Sequence, residues 1–138
     1  MTTQIESVEF HGVQYAMIFR KPRADNRVEF YTSPESPFQL GAFNMQKGST
    51  IPPHIHQPCR RELHATTEVL VIQSGELQVD FYDEHRTFCG SKTLTTGDVI
   101  ILLEGGHGFR VTEDLTMLEI KQGPYAGDLD KVRFQAPQ

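Results

Sequence analysis

Residues 76–82, Glu-Leu-Gln-Val-Asp-Phe-Tyr, alternate polar and apolar positions. A period of two predicts a strand with Leu77, Val79 and Phe81 on one face. By the same parity Tyr82 falls on the outward, polar side. Arg27–Tyr31 repeats the pattern and predicts a strand with Val28 and Phe30 turned inward. Val13–Arg20 and Leu115–Lys121 are further strand candidates. Val69–Ile72 and Val99–Leu103 are continuous apolar runs, which suit strands covered on both faces. Such a wall needs a cover beyond the barrel interior. A second copy of the chain supplies it in the expected homodimer, and the N-terminal strands supply it in the alternative.

Turn signals separate these runs: Lys47-Gly48, Ser74-Gly75, Asp83–Arg86, Cys89-Gly90, Thr96-Gly97-Asp98, Gly105-Gly106 and Gly123-Pro124. From residue 40 onward their spacing is short and fairly regular. Short strands with frequent turns predict an all-β sandwich or barrel rather than β-α-β units. No segment holds a 3.6-residue period long enough for a helix of note. The 138 residues fit a single domain, with N-terminal strands over 1–45, a central part over 48–111 and a C-terminal tail over 122–138.

Charge narrows the partners. Thirteen basic residues face 18 acidic ones, a formal −5. A groove that tracks phosphates needs a basic surplus, so no nucleic-acid partner is expected. The first residues, MTTQIESVEF, hold neither a basic nor an apolar targeting region. The apolar runs are far shorter than the roughly 20 residues of a membrane span. A soluble cytoplasmic protein with no membrane partner is the expectation. Cys59 and Cys89 make no disulfide framework.

Of the six histidines, two form His54-Ile55-His56. On a strand, positions i and i+2 point to the same side, so both rings converge if that side faces a cavity. Glu68 opens the run Glu-Val-Leu-Val-Ile. His107 shares a face with Phe109 and Val111, which makes that face the inward one. Three imidazoles and a carboxylate on inward faces form a coherent ligand set for one divalent metal, with His54, His56, Glu68 and His107 as its members. Each has a plainer reading as well, as a hydrogen-bonded core histidine or a solvated rim carboxylate.

The glycine and histidine spacing of residues 48–111 resembles the cupin superfamily of double-stranded β-helix (jelly-roll) barrels. The first cupin motif is G-x5-H-x-H-x3/4-E-x6-G. Gly48 precedes His54-x-His56 by five residues, and six residues separate Glu68 from Gly75. The second motif is G-x5-P-x-G-x2-H-x3-N. Gly97, Gly105 and His107 stand for its glycines and histidine. Three departures are visible. An insert over 57–67, containing Cys59 and His64, separates His56 from Glu68. Leu103 occupies the proline position, with Gly97 to His107 one residue short. The closing Asn is absent. The stretches Thr66–Gly75, Gly97–Phe109 and Lys121–Tyr125 further look like small bacterial cupins found among surface-polysaccharide and sugar-nucleotide genes.

The resemblance implies a cupin barrel with one divalent ion, not distinguishable among Zn, Ni, Mn and Fe. The ligand it implies is small, oxygenated, and anionic or sugar-like. Metal-dependent isomerase or epimerase chemistry, iron-dependent dioxygenation and non-catalytic sugar sensing all stay open. Arg60 and Arg61 are candidates to clamp an anionic group, or equally a solvated turn. Glu104 and Tyr125 are candidates for the mouth of the site. His64 has the reach to replace a ligand.

Overall fold

The computed structural model describes residues 3–136. The chain is all-β, as its period-2 runs predict, and the described helix is one 3-10 turn, Gly127–Leu129. No helix among the described residues is long and apolar enough to cross a membrane. Two compact units divide the chain. One is Arg23–His64; the other joins Thr3–Pro22 to the chain from Ala65 onward.

The second unit is one curled antiparallel sheet. Its strands are β1 (Gln4–Phe10), β2 (Val13–Arg20), β5 (Glu68–Tyr82), β6 (Phe88–Thr95), β7 (Val99–Leu102) and β8 (Gly106–Lys121). They run in the order β1-β2-β7-β5-β6, with β8 pairing the other side of β5. The two apolar runs and the alternating run read from the sequence all fall inside these strands. Val69–Ile72 and residues 76–82 are one strand, however, not two strands across a turn at Ser74-Gly75.

That single strand cannot be straight. Leu102 pairs with Glu68 at one end of β5, and Gly106 pairs with Tyr82 at the other. Three residues separate Leu102 from Gly106, a reach of about 14 Å at most. A straight 15-residue strand would hold the ends of β5 roughly 46 Å apart. So β5 folds back on itself, and the bend is at Gly75. There φ is +92°, and the ladder to β8 shifts register between Ile72 and Leu77. Across it β8 advances six positions, Met117 to Val111, while β5 advances five, Ile72 to Leu77, and the inward face of β5 changes parity. Leu70 and Ile72 face the core before it, and Leu77, Val79 and Phe81 after it. The turn signal was real, but pairing on both sides converts it into a bulge. Likewise Cys89-Gly90 lies within β6, with Gly90 opposite Phe81, rather than in a turn.

The core inside the curl gathers Ile18, Leu70, Ile72, Leu77, Val79, Phe81, Leu94 and Ile100, all buried. Asp98 locks the turn before β7. Its buried carboxylate accepts from the amides of Lys21 at 3.2 Å and Thr95 at 2.9 Å, and from Arg20 Nη1 at 2.9 Å. Arg20 in turn donates to Glu6 Oε1 at 2.8 Å, which holds that carboxyl below its usual range. Four strands' worth of chain meet at one buried charge, which is satisfied by several donors as a buried charge must be.

The Arg23–His64 unit contains β3 (Val28–Phe30) and β4 (Gly41–Phe43), a short antiparallel ribbon. Val28 and Phe30 are exposed, not inward. Glu29 takes the more covered side because its carboxylate accepts from the amides of Asp25 and Asn26. Residues 44–67 contain no strand, so His54-Ile55-His56 is not on one. Pro52, Pro53 and Pro58 explain this, since each removes an amide that a ladder would need.

Replacing Gly75 with Ala is expected to destabilise the fold by at least about 2 kcal/mol. A Cβ there would stand 1.9 Å from the Asp114 carbonyl oxygen, on a backbone that already disfavours a side chain. Urea unfolding of the two proteins checks it.

Candidate functional site

The bend in β5 brings its two ends together, and with them Glu68 and His107. Glu68 has the parity of Leu70 and Ile72, so its carboxylate points inside the curl. His107 pairs opposite Phe81 and shares that inner face. His107 Nε2 and Glu68 Oε2 stand 3.1 Å apart. Glu68 is buried at 7% exposure, and His107 keeps 28% of its side chain accessible. The hydrogen bond from His107 holds the Glu68 carboxyl below its usual value. Burial opposes that effect, and the charges of His107, Lys121 and Lys131 add to it.

The pair lies on a cleft of about 570 Å³ within the second unit. Leu103–Gly108 and Tyr82 form one side. Asp130–Phe134 and Ala136 form another, with Thr66 beside Glu68. The tight passage from β7 into β8 depends on Gly105, whose φ is +71° and whose missing Cβ leaves room for the Tyr15 ring. That passage delivers Glu104 to the cleft, as its position in the sequence suggested. The face of His107 continues outward through Phe109 and Val111. They share the core's side but are 38% and 60% exposed, because β8 is the sheet's edge.

Tyr82 departs from the reading by parity. Its ring is buried between Phe88 and Phe134, which close over the outward face. The lining contributed by Asp130–Ala136 was missed altogether. The signal available was one aromatic, Phe134, in an otherwise polar tail.

In the Arg23–His64 unit the His54 and His56 rings are 5.1 Å apart, edge to face, and exposed. His54 Nδ1 is bound to the Pro52 carbonyl at 2.9 Å. Arg60, Arg61, Cys59 and His64 are exposed in the same irregular segment. Tyr125 is 86% exposed and is not on the cleft wall. Among the described residues no group of three or more His, Cys, Asp or Glu stands in metal-holding geometry. A carboxylate and an imidazole are donor types that a divalent ion takes, and the 3.1 Å contact between Glu68 and His107 is a hydrogen bond.

A depressed carboxyl adds stability that is present above its free value near 4.5 and lost as pH falls through the lower folded value. Glu68→Gln is therefore expected to flatten the loss of stability below pH 4.5, while Asp80, held low by Arg110, keeps part of it in both proteins. Urea midpoints measured from pH 7 down to pH 3 check this.

No curated protein and no solved structure matches the chain. A family model does match, over residues 16–94, a stretch from β2 to β6 that includes Glu68 and ends before His107. The chain belongs to that family, the domain of unknown function DUF6016.

Proposed function

We propose that the protein is a metal-binding cupin that takes a small, oxygenated, anionic or sugar-like ligand in the cleft at Glu68 and His107. The observation that carries this reading is the buried carboxylate held 3.1 Å from an imidazole inside the curl of the sheet. A divalent ion bound there would supply Lewis-acid polarisation of a ligand oxygen. The chain's own residues do the rest. Glu68 and His107 offer one anionic and one neutral donor. Glu104 places a carboxylate at the cleft for proton transfer, and Lys131 and Arg133 on the opposite side offset its charge.

Isomerase or epimerase chemistry follows from that arrangement if Glu104 reaches the ligand. Binding without turnover follows if it does not. The protein purified without a chelating tag is expected to hold one divalent ion per chain by elemental analysis. His107→Ala is expected to lose it, and His85→Ala, in an exposed turn, to keep it. Equal metal in both variants would reject the ligand set.

We also propose a homodimer. Leu118 and Ile120 are half exposed along β8, beside Val71 and Val69 of β5, and leave apolar surface at the sheet's edge. Light scattering is expected to read twice the 15.7 kDa chain mass, falling to one chain in Leu118→Asp.

A further inference from the structure

The cleft wall formed by Asp130–Ala136 differs in kind from the rest of the site. It pairs with no strand among the described residues; Val132 within it is 75% exposed, and Tyr125 and Leu129 before it are 86% and 95% exposed. One ring secures it. Phe134 packs on Tyr82 with centroids 5.2 Å apart at 87°, and the Arg86 guanidinium lies over the ring, 5.5 Å from its centroid. Gly106, next to His107, lies beside the ring and beside the Tyr82 Cβ. A second tie joins Thr66 Oγ1 to the Asp130 carboxylate, two residues from Glu68. So the segment touches the chain on both sides of the Glu68–His107 pair and is held by one aromatic socket and one hydrogen bond. Segments with few buried apolar contacts open locally far more readily than the sheet beneath them.

We propose that Asp130–Ala136 is a gate over the cleft, latched by Phe134 in the socket of Tyr82, Arg86 and Gly106. It rests on the reading that this cleft is the functional site, but not on any metal or ligand being bound there. Opening pivots on the glycines that precede the segment, Gly123 and Gly127, the latter at φ +60°. Closing sets the Lys131 side of the cleft against Glu68, whose carboxyl Lys131 helps to hold low. Ligand exchange is then limited by release of one aromatic ring.

The test uses chelator-treated full-length protein and diethyl pyrocarbonate, which acylates accessible imidazole nitrogens. Site-resolved mass spectrometry follows His107, and iodoacetamide labelling of Cys89, packed against the core, reports global opening. Phe134→Ala is expected to raise the His107 rate about tenfold with Cys89 unchanged, as loss of the latch raises the open population. Arg86→Ala, which leaves the ring on Tyr82, is expected to raise it less. An unchanged His107 rate in Phe134→Ala overturns the gate. Equal rises at His107 and Cys89 in both variants also overturn it, because the ring then holds the whole sheet. Absence of metal in the wild-type protein would reject the metal reading and leave these rates as they are.

Discussion

The reversal of β5 at Gly75 is the constraint on which the rest of the second unit depends. A sheet closes over a core only if some strand gives up straightness, and here the change is concentrated in the bulged stretch of the β5–β8 ladder between Ile72 and Leu77. The bulge does two things at once. It turns the two halves of β5 toward each other, and it moves the inward face from Leu70 and Ile72 to Leu77, Val79 and Phe81. Without the parity switch, one half would present Gln78 and Asp80 to the core. Asp80 instead lies on the opposite face, still buried, where Arg110 meets it with two hydrogen bonds of 2.7 and 2.8 Å. The close approach of Glu68 to His107 is a by-product of the same bend, since the two lie near opposite ends of the strand pair.

Where each segment pairs on both sides, the sequence was a good guide. Val13–Arg20 is a strand over the expected range, and the runs beginning at Val69 and Val99 are buried as their composition demands. It failed where a local signal carries two meanings. Ser74-Gly75 reads as a turn because glycine permits positive φ, and the same property serves a bulge. His54-x-His56 suggested a strand by the spacing of two side chains, whereas the backbone there is governed by Pro52, Pro53 and Pro58. Of the site, Glu68, His107 and Glu104 were visible as chemistry. Tyr82 and Phe134 were not, because their pairing joins residues 52 positions apart and leaves no periodic trace.

The electrostatics of the cleft are mixed rather than single-signed. Glu68, Glu104 and Asp130 share its walls with His107, Lys131 and Arg133. A binding place built only to attract anions by long-range field would be uniformly basic. Here charges of both signs are distributed around one buried carboxylate.

The anchoring of Arg20 on Asp98 has a consequence in time as well as space. β2 pairs with β7, so the β1–β2 hairpin docks on a strand made about 80 residues later. Until then β1 and β2 have each other and little else, and an isolated two-stranded hairpin is marginal in water. The whole Arg23–His64 unit emerges within this interval. Closure of so long a loop is entropically slow, and the Arg20–Asp98 contact forms only when it is complete. A nascent chain of this protein therefore carries an uncommitted apolar hairpin until β7 has been made, the circumstance in which folding helpers and intermolecular mispairing compete for the same strand edge.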